Sequence, residues 1–398
     1  MRKNRIYYLD NNATTRVADE VYEAMLPFFG NLYGNPSSMH HFGGQVQKYI
    51  NESREKLAAL LGASSQEIIF TSCGSESDST AIWSALRVCP EKKHIVTTRV
   101  EHPAVLSLAK HLEKIGYEVT YLPVDNDGNI DLDELRNSIR EDTAIVSVMW
   151  ANNETGVICP VEEAAEITKS KGAIFHTDAV QAAGKVPINM ANSAIDMLSV
   201  SGHKFHAPKG VGALYVRKSV PFSPLIIGGH QENGRRAGTE NVPYIVGLGK
   251  AAELAAKNIE TENSKVSKLR DKLENGILKK IDNARINGKR DKRTPNTTNV
   301  SFKYVEGESI LIMLSEENIA VSTGSACSSG SMEPSHVLLA MNVPKEYVHG
   351  SIRFSLSVYN TEEEVDYVLD KLTAVIKRLR DMSPFSDEKS AFGNEVHH

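Results

Sequence analysis

Cysteine is scarce in this chain of 398 residues. Cys73, Cys89, Cys159 and Cys327 are scattered without CxxC spacing, which argues against a structural zinc site or a disulfide framework and fits a reducing compartment. Long apolar runs are missing too. None approaches the length of a membrane span, and Met1-Arg2-Lys3-Asn4-Arg5-Ile6 leads into a strand-like segment rather than a signal core, so the expected location is the cytoplasm, with no membrane partner. There is no basic stretch either. With 45 Lys and Arg against 50 Asp and Glu, the net charge is −5, and no electrostatic footprint for nucleic acid remains. Repeats and low-complexity tracts are absent. A hydrophobic content of 41% and a charged content of 24% are ordinary for a soluble globular protein.

The length exceeds what one core sustains, so a large domain with a smaller one is expected. Short β-branched runs (Glu67-Ile68-Ile69-Phe70, His94 to Thr97, Ala144 to Val148, Ala173-Ile174-Phe175, Ala213 to Val216) alternate with helical patterns, which means a mainly parallel α/β sheet. From about Glu262 the texture changes to a long helix with Val266, Leu269, Leu273 and Ile277 on one stripe, then a mostly polar stretch from Asp282 to Arg293; the domain change is expected here. A capping box of Thr361 and Glu364 opens another helix, running through Val365, Val368, Leu372 and Ile376. Ser335 is expected to cap a helix whose Val337, Leu338 and Met341 face inward.

Functional groups in parallel sheets gather at the carboxyl ends of strands. Asp178 follows the run Ala173-Ile174-Phe175, and Lys204 closes Ser199-Val200-Ser201-Gly202-His203-Lys204. A lysine can form a Schiff base with an aldehyde cofactor, and a carboxylate facing a ring nitrogen can keep it protonated. Taken singly, Asp178 could equally cap a helix, and Lys204 be one more solvated lysine. Thr71-Ser72-Cys73-Gly74-Ser75-Glu76-Ser77 joins a strand to a helix and places Gly74 and Ser75 where a phosphate would meet free N–H groups, although a plain βα connection reads the same way. His102 and Asn153 follow two further strands. Several strand ends converging with suitable side chains favour the functional reading over the plain one.

The runs Tyr8 to Thr15, Gly34-Asn35-Pro36-Ser37-Ser38, Glu101-His102-Pro103-Ala104-Val105, Asn152-Asn153-Glu154-Thr155-Gly156, Ser201-Gly202-His203-Lys204 and Gly324-Ser325-Ala326-Cys327 together resemble a cysteine desulfurase of the class V aminotransferase group. The resemblance covers nearly the whole chain. Thr71 to Thr80 and Gly228 to Asn241 resemble the NifS type, which supplies sulfur for nitrogenase metalloclusters; the housekeeping IscS type is the near alternative. Ser75 stands where the family usually has threonine, a change that keeps the hydroxyl.

The resemblance implies an α/β protein of the aspartate aminotransferase-like fold type I, with a mainly parallel seven-stranded sheet in the large domain and a smaller α+β domain. Residues 15–262 would be the large cofactor-binding domain, and 1–14 with 263–398 the small one, carrying a mobile cysteine loop at about 322–333. It implies a homodimer, with pyridoxal 5′-phosphate as a Schiff base on Lys204. Asp178 would partner the ring nitrogen and His102 would be the stacking acid–base group, with Gln181 and Asn153 near the phenolic oxygen. Gly74, Ser75, Ser201, Gly202 and His203 would hold the phosphate, with Thr239 contributed by the other subunit. Arg353 would clamp the substrate carboxylate, next to Asn153.

Cys327 lies among small and polar residues, Ser322 to Ser331, a composition that describes a loop rather than a core segment. As a thiolate it could attack the substrate sulfur. The implied reaction converts L-cysteine to alanine: Lys204 removes the α-proton, Cys327 takes the sulfur as a persulfide, and the sulfur passes to an iron–sulfur scaffold protein. Cys327 would then be a transient iron–sulfur ligand shared with that scaffold, and the sole metal site. Two other readings stay open, a lyase for selenocysteine or cysteine sulfinate and an inert sulfur carrier that binds a scaffold.

Overall fold

The computed structural model describes residues 5–323 and 334–382, apart from the side chain of Glu262. Its strands are β1 (Tyr7–Tyr8), β2 (Ile68–Thr71), β3 (His94–Thr98), β4 (Glu118–Leu122), β5 (Thr143–Ser147), β6 (Ile174–Asp178), β7 (Met197–Ser201), β8 (Gly212–Val216), β9 (Ala284–Asn287), β10 (Thr297–Phe302), β11 (Ile319–Ala320) and β12 (Ser351–Ser355). Seven of them form one sheet in the order β2-β8-β7-β6-β5-β3-β4, the mainly parallel sheet expected. Only β8 runs against its neighbours, so the carboxyl ends of the other six finish at one edge. The inner strands β3, β5, β7 and β8 are buried along their whole length, and β6 is buried apart from its first residue, Ile174, because helices cover both faces of a parallel sheet.

Two of these strands have no counterpart in the runs read from sequence. In β4 only Leu122 is fully buried, since an edge strand needs no continuous apolar run. The Met197–Ser201 strand interleaves Ser199 and Ser201 with Met197, Leu198 and Val200, so it lacks the continuous β-branched run that marks the others.

A second, smaller assembly pairs β12, β10 and β9 in antiparallel fashion, beside a two-stranded parallel pair of β1 with β11. Its core contains Leu9, Leu273, Phe302, Phe354, Val368 and Leu372. The main core contains Val46, Phe175, Val200 and Leu248. The capping box forms as read: Thr361 Oγ1 accepts from the Glu364 N–H at 3.3 Å and the Glu364 carboxylate accepts from the Thr361 N–H at 3.2 Å. Ser335 Oγ likewise accepts from the N–H groups of Val337 and Leu338.

The long helix begins far earlier than its stripe suggested. It spans Val242–Lys280, 39 residues, or about 58 Å at 1.5 Å per residue. Its first half buries Ile245, Leu248 and Ala252 in the main core, and its second half buries Val266, Leu273 and Ile277 in the smaller one. The division proposed at residue 262 therefore falls inside a continuous helix. Among the described residues no helix is long and apolar enough to cross a membrane.

The turn into β12 is close-packed. A Cβ on Gly350 would stand 2.1 Å from the carbonyl oxygen of Phe302 and 2.7 Å from that of Val305. Both obstacles are backbone and cannot rotate away. Gly350→Ala is therefore expected to destabilise the fold by about 1–3 kcal/mol, read as a shifted midpoint in denaturant unfolding.

Candidate active site

The carboxyl edge of the large sheet opens on a cavity of about 680 Å3, counting the part open to solvent. Gly74, Ser75, His102, Asn153, Asp178, Gln181, Ser201, His203 and Lys204 all line it, together with Cys73, Asp78 and Met149. Nine residues singled out from sequence thus share one wall. They arrive from five connections: Asp178 ends β6 with Gln181 just beyond it, Ser201 ends β7 and leads into the turn Gly202–Lys204, Gly74 and Ser75 open the helix Gly74–Val88, His102 caps the helix Pro103–Lys114, and Asn153 follows β5.

Lys204 is held by two peptide carbonyls. Its Nζ donates to Asn12 at 2.6 Å and to Ala13 at 2.9 Å. The Asn12 carbonyl also accepts from Gln181 Nε2 at 2.9 Å. Asp178 is buried, and its Oδ1 accepts from the Val180 N–H at 2.9 Å. Burial raises its carboxyl to about 6, against the pull of that N–H and of the Lys204 ammonium. Behind it stands His176, whose Nδ1 is 2.9 Å from Ser147 Oγ and whose Nε2 is 3.0 Å from Ser199 Oγ. Burial lowers this imidazole to about 3, so it is neutral at pH 7. Asp78 lies 3.6 Å from His176; burial and then the nearby Asp178 raise its carboxyl.

His102 is the N-cap of the helix Pro103–Lys114, its Nδ1 accepting from the Ala104 N–H at 3.1 Å. That bond puts the proton of the neutral ring on Nε2. Burial, then the positive Lys204 and His336, lowers His102 to about 4. His203 is lowered to about 4 as well, first by burial and then by Lys204. A neutral imidazole able to exchange protons, beside a lysine, suits acid–base work.

The anion end is a helix N-terminus with a close wall. A Cβ on Gly74 would come within 2.8 Å of Val180 Cγ2 and 3.5 Å of Ser201 Cβ, so only glycine leaves its N–H accessible there. Glu76, in the same first turn, is paired with Arg236 at 2.9 Å, which offsets its charge near the site. The chemistry of this donor set fits pyridoxal phosphate: an amine, a buried carboxyl across the cavity from it, an imidazole, and backbone N–H groups with hydroxyls for a phosphate.

Other expected residues lie apart. Gly202 does not line the cavity; a Cβ there would meet Ala207 at 2.9 Å and Leu248 at 3.1 Å, so its role is close packing under the turn. Thr239 is exposed and lines a separate cavity with Ser72 and Arg236. Arg353 is buried beside the site, donating to the Asn153 carbonyl at 3.0 Å and to Asp10 at 2.6 Å, while among the described residues its Nε has no hydrogen-bond partner. Cys327, with most of the loop expected at 322–333, lies outside the described residues. The roles of Asp10 and of the Asn12 and Ala13 carbonyls were not read from sequence, because backbone oxygens carry no residue signature.

A match to the family Aminotransferase class-V covers residues 7–368. The chain belongs to that class of enzymes, which fold and site define together. Within it the chain is a cysteine desulfurase, dependent on pyridoxal phosphate carried on a lysine. It is 58% identical over 387 residues, 97% of both chains, to the cysteine desulfurase of Trichormus azollae. It is 56% identical to the cysteine desulfurase NifS of Azotobacter vinelandii, over 95% of this chain and 94% of that one. A solved NifS-like protein superposes with a TM-score of 0.89 at 43% identity, covering 94% of this chain and all of the other.

Glu101, next to His102, is buried and accepts from Thr98 Oγ1 at 2.8 Å and from the Met149 N–H at 2.9 Å. Burial raises its carboxyl from 4.5 to about 8. Between those values the unfolded chain releases the proton and the folded chain keeps it, so stability falls as pH rises through this window. Glu101→Gln abolishes that dependence. The stability of the variant relative to the parent is expected to improve steadily from pH 4.5 to pH 8, by a few kcal/mol in all, in denaturation curves taken across that range.

Proposed function

We propose that the protein takes sulfur from L-cysteine by way of Lys204, Asp178, His102 and Cys327, and delivers it for nitrogenase metallocluster assembly. The observation that carries the residue assignment is the single cavity that gathers Lys204, Asp178, His102 and the start of the helix Gly74–Val88. The 56% identity to the Azotobacter vinelandii NifS supports the destination, with housekeeping cluster supply as the alternative.

Pyridoxal phosphate, when bound, supplies an aldehyde for amines and a ring that takes up charge from the substrate α-carbon. The chain's own groups do the rest. Gly74, Ser75, Ser201 and His203 bind the phosphate. Asp178 holds a proton toward the ring nitrogen, and Gln181 with Asn153 orients the ring oxygen. Arg353 binds the substrate carboxylate through donors that Asp10 and Asn153 leave over. Lys204 removes the α-proton and His102 returns protons nearby. The Cys327 thiolate attacks the cysteine sulfur; the Cβ–S bond breaks, its electron pair stays with the three-carbon fragment, and that fragment gains one proton at Cβ, regains the one removed from Cα, and leaves as alanine. Cys327 keeps the sulfur as a persulfide and passes it to a scaffold thiol, in the cytoplasm.

A homodimer fits two features. Tyr22, Leu26, Phe29, Tyr33, Met39 and Phe42 are large apolar side chains left exposed within one short segment, and such patches mark interfaces. Thr239 does not line the site cavity of its own chain, consistent with the partner subunit's Thr239 completing the phosphate site.

Protein incubated with pyridoxal phosphate is expected to show imine absorption that Lys204→Ala abolishes. Cys327→Ala is expected to keep the absorption and lose alanine and sulfide formation from cysteine by about a thousandfold or more. Undiminished turnover in Cys327→Ala would overturn the persulfide step and favour a lyase. Faster cluster loading onto a nitrogenase-type scaffold than onto a housekeeping scaffold tests the destination.

A further inference from the structure

Lys185 has no part in the assignments above. It stands one turn beyond Gln181, and its Nζ donates to Gln181 Oε1 at 3.0 Å and to the Gln181 carbonyl at 3.4 Å. The other end of the same amide, Nε2, donates to the Asn12 carbonyl, the oxygen that also accepts from Lys204. An ammonium only donates and a peptide carbonyl only accepts, so a single orientation of the Gln181 amide satisfies both neighbours. Flipping it would set NH2 against the ammonium and oxygen against oxygen.

The placement is costly. Burial, then the positive Lys204 and Arg353, draws the Lys185 ammonium down to about 7. Among the described residues no carboxylate pairs with it. Lys185 and Lys204 both line a second cavity of about 820 Å3, which also takes in Phe205 and Asn296, whereas Gln181 lines the first. The Lys185–Gln181 contact therefore joins the linings of two spaces, both of which Lys204 also lines. Lys185 is only partly buried, and its bond to the Gln181 amide offsets what its charge loses in leaving water.

We propose that Lys185 is a positioning residue: by holding Gln181 Oε1 it locks the amide with Nε2 turned toward the Asn12 carbonyl, so that the end of the amide that would meet the ring oxygen of the cofactor is a donor rather than an acceptor. The proposal rests on the pyridoxal phosphate reading of the first cavity. Its test is the pH titration of imine absorption in the loaded protein, run on Lys185→Met, Lys185→Arg, Gln181→Ala and the double variant Lys185→Met/Gln181→Ala, with kcat/KM alongside. Lys185→Met is expected to shift the spectral midpoint by about half a pH unit or more and to lower kcat/KM roughly tenfold, the size of a lost hydrogen bond to a charged group. Lys185→Arg should restore both. In the Gln181→Ala background, adding Lys185→Met should change neither, because a residue acting through another shows full non-additivity. An unmoved midpoint, or the same shift in both backgrounds, overturns the proposal. Lys185→Gln takes the place of Lys185→Met if the latter does not fold. Absence of imine absorption in the parent protein would instead overturn the cofactor reading itself.

Discussion

The backbone and side chain of Asn12 hold together segments far apart in sequence, and the geometry of the site depends on them. Asn12 is 2% exposed. Its amide donates to Thr297 Oγ1 on β10 and to the Asn153 carbonyl after β5, its side-chain oxygen accepts from Asn296, and its N–H donates to Ser355 Oγ on β12. Its carbonyl then receives Lys204 and Gln181. Four of these bonds, to Ser355, Thr297, Asn296 and Gln181, are buried, and losing one of them leaves a buried polar group unpaired, at about 1–3 kcal/mol. The smaller assembly thus reaches the reactive lysine through one residue.

Around that node the site keeps opposing ionisations in balance. The buried acids Asp178 and Glu101 hold protons that free carboxyls would release. The imidazoles of His102, His176 and His203 give up protons that free histidines would share. For the acids, folding is favoured toward low pH; for the imidazoles, folded values near 3 to 4 against the ordinary 6.5 mean stability that is lost as pH falls below 6.5. The two trends cross in mildly acidic solution. At pH 7 Glu101 and the three imidazoles are neutral, whereas Asp178, at about 6, is mostly ionised, so a bound ring would meet one carboxylate and one ammonium among neutral partners.

Much of the site was legible because its parts are local. Strand-to-loop junctions, the Thr361–Glu364 box and the Ser335 cap are patterns of a few residues, and all of them form. What escaped notice was carried by distance or by backbone. The ion pair of Asp10 with Arg353 spans 343 positions. Lys185 looked like any lysine until the fold placed it under Gln181. The first half of the long helix carries Gly247 and Gly249, a residue type that weakens a helical pattern. Here they admit Met25 and Ser53, whose atoms would stand within 2.7 Å and 2.5 Å of an added Cβ. Gly202 was read as a ligand because it sits in the right motif, yet its missing side chain faces the packing beneath.

The helix Val242–Lys280 enters both cores without a break. A rigid rod embedded at both ends behaves as a torsion bar. The smaller assembly cannot tilt toward the cavity by swinging on a slack connector, and its displacement must be stored as bending or twist spread along about 58 Å of helix. Relative motion of the two cores is therefore small in amplitude and elastic in character, and releasing the load returns them to one rest position.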